Sequence, residues 1–380
     1  MKDNHLKIVT VVGTRPEIIR LSRTMALLDQ YVNQVIVHTG QNYDYELNEV
    51  FWKDLELRKP DHFLEINTSS LGNAVGDIIR KTEEVLKVEK PDALLVLGDT
   101  NSCLSAYIAK RMHIPVFHME AGNRSFDLNV PEEVNRKIID HIADYNLVYT
   151  EHARRHLISE GLPHRRIYLS GSPMKEVLNY YLPKIQKSAI LSKLKLKKEK
   201  YFVVSTHREE NVDNPANLKQ ILIVLDKLAE KYQYPVIVST HPRTKKRLEQ
   251  LKKVSSNKKI QFLKPFGFID YINLQMNSAC TLSDSGTISE ESSILDFPAI
   301  SLRQSMERPE AQDTGSIILT GFDAEIILDS IALSINEKKD RKTKSVPEDY
   351  QIEDTSWRVL KLIMGNTKLS NKWWGINPLK

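Results

Sequence analysis

Short β-rich runs alternate with stretches of helical periodicity along most of this chain, and few architectures tolerate that alternation. Strand-like runs at Ile8 to Val12, Gln34 to His38, Ala93 to Leu97, Val116 to Met119, Asn146 to Tyr149 and Ile167 to Leu169 are separated by helical patterns at Pro16 to Asp29, Leu71 to Val88, Ser102 to Met112, Glu132 to Ile142 and Glu151 to Glu160. A second series follows, with strands at Tyr201 to Ser205, Val236 to Ser239, Ile260 to Leu263, Ala279 to Ser283 and Ala299 to Leu302. Its helical patterns lie at Pro215 to Lys231, Arg243 to Lys253, Tyr271 to Asn277, Thr287 to Leu295 and Ala324 to Glu337. Strand–helix–strand repetition demands parallel sheets covered by helices on both faces. The pattern therefore predicts an α/β protein of two Rossmann-like, doubly wound domains, over 1–180 and 201–355, with a cleft between them. Residues 181–200 read as a helical connector, and 356–380 as a C-terminal helix or tail crossing back to the first domain.

In an open parallel sheet the ligand lies outside the carboxyl ends of the strands. Three carboxylates stand where apolar runs break off: Asp99 after Ala93 to Gly98, Glu120 after Pro115 to Met119, and Glu132 at the opening of the next helical pattern. A group of acids there suits a reaction in which a proton leaves one face of a carbon and returns to the other. His118 precedes Glu120 by two residues, so strand alternation predicts that both side chains share a face.

Composition narrows the partners. The 54 basic and 49 acidic residues leave a formal charge of +5. The Lys-rich stretches at 193–200 and 245–247 lack interleaved aromatics and read as solvated faces, which argues against nucleic acid. The two cysteines, Cys103 and Cys280, lie far apart without metal-ligand spacing. No metal and no cofactor is expected. No apolar run reaches the roughly 18 residues of a membrane span. The segment Met1 to Lys7 runs into a strand without a signal-peptide core, so a cytoplasmic protein with no membrane contact is expected.

Neither half contains GxGxxG, which removes the dinucleotide fingerprint. Gly13-Thr14-Arg15-Pro16-Glu17 instead joins the first strand to the first helix, with Pro16 and Glu17 suited to a helix start. Arg15 beside free backbone N–H groups would bind a phosphate, and Arg20, a turn further on, would join it at a diphosphate. A capped helix with surface arginines is the plainer alternative. In the second half, Ser285, Gly286 and Thr287 follow a strand and open a helix. Their amides and hydroxyls suit phosphate oxygens, although a helix cap explains them equally well. Glu291, about one turn in, could accept the two hydroxyls of a ribose, and Arg308 is a second phosphate candidate. His207 ends the strand Tyr201 to Ser205 beside Arg208, placed to donate to a departing phosphate or to serve structure alone. His241 reads as structural.

Taken in order, Gly13 to Glu17, Gly98-Asp99-Thr100, His118 to Gly122, Pro131 to Arg136, Thr206 to Glu209, Asp284-Ser285-Gly286 with Glu290-Glu291, and Glu307 to Glu310 resemble the non-hydrolysing UDP-N-acetylglucosamine 2-epimerase family. The resemblance runs from about residue 7 to about residue 322. It implies a fold like the GT-B glycosyltransferases, a UDP-sugar substrate with UDP mostly on the second domain, and a homodimer. It also implies that Asp99, Glu120 and Glu132 are the acid/base carboxylates and His207 the catalytic histidine near the leaving UDP. Arg15, Arg136 and Arg308 match its anion-binding arginines, and Ser285, Gly286 and Glu291 match its UDP site.

Three departures stand out. Arg20 replaces the usual Lys, Asn123 to Val130 is shorter than its counterpart, and Tyr43 to Glu46 follows Gln41 where bacterial relatives carry an allosteric substrate site. They resemble the branch that converts UDP-2-acetamido-2,6-dideoxy-L-talose to UDP-N-acetyl-L-fucosamine for surface polysaccharide. UDP-N-acetylglucosamine epimerisation is the alternative. A GT-B glycosyltransferase would share the UDP site without needing clustered acids. A hydrolysing epimerase would release free sugar, and a non-catalytic binder would leave the filled acid positions unused.

Overall fold

Parallel strands joined by helices build both halves of the molecule. The structure is a computed structural model that describes residues 6–40, 52–250, 255, 257–340 and 345–374. Contacts divide the chain into one unit of Met1–Val177 with Ile352–Lys380 and another of Leu178–Gln351.

Among the described residues the first unit holds β1 (Lys7–Val12), β2 (Asn33–His38), β3 (His62–Phe63), β4 (Ala93–Leu97), β5 (Val116–Ala121), β6 (Tyr145–Val148) and β7 (Ile167–Leu169). They form one sheet in the order β3-β2-β1-β4-β5-β6-β7. Strands covered on both faces must be apolar along their whole length, and β4 obeys with Ala93 to Leu97 entirely buried. One core packs Val9, Val35, Val37, Leu94 and Val96 against Ala74, Ile78 and Val85 of the helix Leu71–Glu89. The helix Arg15–Tyr31 buries Ile18, Leu21, Met25 and Leu28, a stripe at helical spacing. The helix Thr355–Trp374 belongs to this unit: Thr355 donates to the Ser170 and Ser172 carbonyls, and Trp357 meets Tyr31 edge-on at 5.3 Å.

The second unit holds β8 (Phe202–Ser205), β9 (Val236–Ser239), β10 (Ile260–Leu263), β11 (Cys280–Ser283), β12 (Ala299–Ser301) and β13 (Ile318–Leu319). Their order is β10-β9-β8-β11-β12-β13, again parallel throughout. Residues 181–200 pack into this unit. Ile190 is buried with Tyr201, Val203, Ile237 and Leu274, flanked by Leu191, Leu194 and Leu196.

Most element limits match the sequence pattern to within a few residues. The two-residue strands β3 and β13 escape it, because so short a run carries no period. The expected helix from Ser102 begins instead as a 3-10 turn, Asn101–Leu104, and becomes α-helical at Ser105. The helix expected over Arg243 to Lys253 is described as Pro242–Glu249, and residues 251–254 lie outside the described set.

One irregularity interrupts β5 close to its carboxyl end. The β5–β6 register shifts between Met119 and Ala121, so Glu120 is a bulge, with φ of 63°. The alternation that would put His118 and Glu120 on one face therefore breaks at Glu120. Gly122, two residues on, has φ of 79°, and a Cβ there would lie 2.4 Å from the Ala153 carbonyl oxygen. Only glycine meets both demands. Gly122→Ala should lower the unfolding free energy by about 3 kcal/mol, combining left-handed strain with overpacking. Gly161→Ala, at φ of 89° but facing open space, should cost about 1 kcal/mol. Urea denaturation of the two variants checks the difference.

Candidate active site

Both sheets reverse their strand order once, the first between β1 and β4, the second between β8 and β11. Loops at the carboxyl ends on either side of such a reversal frame the ligand crevice of a doubly wound sheet. Each reversal here is bridged by a buried carboxylate.

In the first unit the bridge is Glu17. It accepts hydrogen bonds from Gly13 N at 2.9 Å, Thr14 N at 2.7 Å and Thr14 Oγ1 at 2.8 Å, all after β1. From the loop after β4 it accepts Thr100 Oγ1 at 3.0 Å and Ser102 Oγ. Burial nonetheless pushes its carboxyl above the ordinary value, against the downward pull of these donors. Arg15 opens the helix beyond, half-buried. Arg20 is 7% exposed and forms an ion pair with Glu120. Glu120, 6% exposed, also accepts from Asn123 Nδ2 at 3.3 Å. Asp99 pairs with Arg136, whose Nη1 lies 3.2 Å from the buried Glu133. Asn135 Nδ2 adds a bond to the Asp99 carbonyl at 2.9 Å. Glu133 in turn accepts from Ser125 N and Oγ, both at 3.0 Å. Glu132 stands half-buried in the first turn of the helix Pro131–Ile142. The anion held by Arg136 here is thus a protein carboxylate.

In the second unit the bridge is Asp284. His207 N and Arg208 N donate to its Oδ2 at 2.9 and 3.0 Å, and Asn211 Nδ2 does so at 2.9 Å. His207 Nδ1 lies 3.1 Å from Oδ1. Burial alone would raise this carboxyl, but the facing His207 and these bonds hold it well below the ordinary range. With Nδ1 turned to Asp284, the ring's other nitrogen faces away from the carboxylate. His241 caps the helix Pro242–Glu249, accepting from Arg243 N at 3.3 Å, with its ring 5.7 Å from that of His207.

Gly286 is ringed by side chains: a Cβ there would lie 3.5 Å from Glu307 Oε2 and 3.8 Å from both Arg208 Nη2 and Arg308 Nε. Ser285 Oγ and Thr287 Oγ1 lie 2.9 Å apart. Two arginines beside a backbone turn and a helix start suit a diphosphate. The first-turn acids Glu290 and Glu291 oppose it, and both are tied down: Arg308 Nη2 lies 3.3 Å from Glu290, and Gln275 Nε2 donates to Glu291 at 3.0 Å. Burial works against the Arg308 charge, yet Glu290, Glu310 and Glu307 hold its pKa above the ordinary value.

Arg15, Arg20, Asp99, Glu120, Glu132 and Arg136 therefore fall in the first unit, and His207, Ser285, Gly286, Thr287, Glu291 and Arg308 in the second. The sequence pattern singles out neither Asp284 nor Glu133 as a group that holds others, and it gives Glu17 only as a helix-end charge. Glu133, Arg136 and Asp140 at i, i+3 and i+7 were the available signal, a buried polar stripe on an otherwise amphipathic helix. Residues Gln41 and Tyr43 to Glu46 lie outside the described residues. Among the described residues no His, Cys, Asp and Glu cluster could hold a metal ion, and no helix is long and apolar enough to cross a membrane.

The family described as UDP-N-acetylglucosamine 2-epimerase matches residues 26–364. This chain belongs to that family. It is 37% identical over 346 residues to the UDP-N-acetylglucosamine 2-epimerase of Methanocaldococcus jannaschii, covering 89% of this chain and 94% of that protein. It is 31% identical to the UDP-2,3-diacetamido-2,3-dideoxy-D-glucuronate 2-epimerase of Pseudomonas aeruginosa, over 91% of this chain and 95% of that one. Among solved structures, the UDP-N-acetylglucosamine 2-epimerase of Rickettsia bellii superposes with a TM-score of 0.91 at 48% identity, covering 98% and 100% of the two chains. The Methanocaldococcus jannaschii enzyme in complex with UDP-GlcNAc and UDP gives 0.88 at 35%, covering 95% and 100%. A glycosyltransferase from Rickettsia africae shares the fold, at 0.57 and 12% identity over 97% and 98%.

A half-buried ion pair bears on stability. Arg124 reaches Glu160 through Nε at 2.7 Å and Nη2 at 2.6 Å. Those hydrogen bonds hold the Glu160 carboxyl down at about 2 against the opposing push of burial. A depressed folded-state value stabilises above the ordinary 4.5 and loses that contribution as pH falls toward 2. Glu160→Gln should cost about 1 kcal/mol at neutral pH, given the partial exposure of the pair. In urea titrations the gap from the parent protein should narrow as pH drops below about 4.5.

Proposed function

We propose that this chain inverts C2 of a UDP-N-acetylhexosamine by releasing UDP from C1 and taking it back. The observation that carries the reading is the pairing of Asp99 with Arg136 and of Glu120 with Arg20, at the carboxyl ends of the neighbouring strands β4 and β5. The C2 proton of such a sugar is not next to a carbonyl, so enolisation cannot remove it. Breaking the C1–O bond to the β-phosphate builds oxocarbenium character that acidifies C2–H. A carboxylate takes that proton, the C2–H pair becomes the C1=C2 bond of a 2-acetamidoglycal, and UDP departs with the C1–O electron pair. Protonation of C2 from the other face and return of the UDP oxygen to C1 complete the inversion. Such a route needs acid/base groups on two faces and cations for the diphosphate.

Asp99, Glu120 and Glu132 are the acid/base set in this reading. His207, oriented by Asp284, donates toward the leaving diphosphate. Arg15, Arg308 and the Ser285-Gly286-Thr287 turn hold its charge, and Glu291 holds the ribose. In this reading the first unit carries the acid/base chemistry and Arg15, and the second the other groups that hold the nucleotide.

For the sugar we favour UDP-2-acetamido-2,6-dideoxy-L-talose, giving UDP-N-acetyl-L-fucosamine for capsule or O-antigen. The support is Arg20 in place of Lys at the proposed base and the short Asn123–Val130 segment. UDP-N-acetylglucosamine is the second reading, favoured by the names of the relatives. The glucuronate-derived substrate in the Pseudomonas aeruginosa relative's name is a reason not to carry any one sugar across by name alone. A cytoplasmic location is part of the same proposal, and so is a homodimer, which rests on the resemblance.

Incubation with each sugar nucleotide in D2O, followed at C2 by proton NMR, tests this. Inversion and C2 deuteration with the L-talose nucleotide alone supports the favoured reading. The same with UDP-N-acetylglucosamine alone selects the second. Exchange with neither, or free sugar as the product, rejects the non-hydrolysing reading.

A further inference from the structure

Glu120 occupies a conformation its own residue type disfavours. A non-glycine residue in the left-handed region is strained and persists only where its surroundings over-determine it. Bulges of this kind re-aim a side chain beside an active site. The Glu120 side chain is tied to Arg20 and Asn123. The backbone beyond it is held by Asp140, a fully buried residue with no role in the proposed reaction.

Two donors from beyond the bulge converge on the Asp140 carboxylate, and a ring nitrogen of His118, before the bulge, faces it. Gly122 N lies 3.2 Å from both of its oxygens. Arg124 Nη1 lies 2.7 Å from Oδ2, and His118 Nδ1 lies 3.0 Å from Oδ1. Arg124 Nη1 also reaches the Asn123 carbonyl at 2.8 Å, and Asn123 is the residue that donates to Glu120. The other nitrogen of His118, Nε2, lies 2.8 Å from the Gly98 carbonyl, directly before Asp99. The carbonyl of Gly122 is held separately by His156 Nδ1 at 2.9 Å. Asp140 itself is anchored where its own carbonyl accepts Asn146 Nδ2 at 2.8 Å.

One carboxylate thus touches residues on both sides of Glu120 and, through His118, the strand end that bears Asp99. We propose that Asp140, acting with His118 and Arg124, is a positioning residue that fixes Glu120 and its spacing from Asp99. It acts through Glu120 and touches no substrate, so it governs the proton step at C2 and not the hold on UDP. The proposal rests on the epimerase reading and on Glu120 as an acid/base group.

Asp140→Asn keeps the shape but removes the charge that His118 and Arg124 face. With the sugar nucleotide that exchanges in the parent enzyme, the C2 exchange rate should fall ten- to a hundredfold, since misplacement by about 1 Å can cost that much. KM and the UDP Kd from calorimetry should stay within about twofold. An exchange rate within about twofold of the parent overturns the proposal. So does a UDP affinity that falls in step with the rate, which would mark general damage. Should Asp140→Asn fail to fold, His118→Asn is read the same way: its amide stays toward Asp140 but loses the Gly98 carbonyl, and a parent-like rate overturns the proposal. A parent enzyme that exchanges neither sugar would overturn the functional reading, and this proposal with it. Parent exchange with an indifferent Asp140→Asn removes the positioning role alone.

Discussion

A carboxylate buried against backbone N–H groups, set across the point where strand order reverses, is the interaction on which both halves of this molecule depend. A parallel sheet leaves unpaired donors in the loops beyond its carboxyl ends, and a buried donor without a partner is costly. Glu17 satisfies Gly13 and Thr14 after β1 while also taking Thr100 and Ser102 after β4. Asp284, after β11, does the same for His207 and Arg208 after β8. Each carboxylate joins loops that are far apart in sequence, so a residue on one loop keeps a fixed relation to the next. Arg15, Asp99 and His207 all stand at or beside such a tie.

Charge is handled by the same pairing of partners. Buried acids near the site face buried cations: Glu120 with Arg20, Glu133 with Arg136, Asp140 with Arg124, Glu290 with Arg308. Buried pairs of this kind add little net stability, but losing one member is costly. They are better understood as geometry. A proton-transfer group must be held to a fraction of an ångström, and an arginine fork fixes a carboxylate more firmly than solvent does.

The alternation of strand and helix periods was enough to read the two doubly wound sheets, and the strand-end acids Asp99 and Glu120 were visible because they stand where largely apolar runs break off. The supporting residues were not. Glu17 looks like an ordinary helix-start acid, since donors converging from two loops leave no trace in local spacing. Asp284 sits one residue before the Ser-Gly-Thr turn that drew attention to itself. The bulge at Glu120 is invisible because the sequence pattern ends the strand at Met119 and leaves Glu120 as a plain strand-end residue, whereas β5 runs on to Ala121 with the register shift inside it. Local pattern reports what a segment prefers, whereas a strained site is held by groups distant in sequence.

The central claim is that the strained Glu120 turn serves the proton at C2 while the nucleotide is held elsewhere. Glu120→Gln tests it most directly, with UDP affinity by calorimetry and solvent deuterium exchange at C2 measured on one preparation. The account predicts UDP binding within about twofold of the parent protein and exchange reduced by about a thousandfold, the scale of a lost acid/base group. Exchange at the parent rate would contradict it.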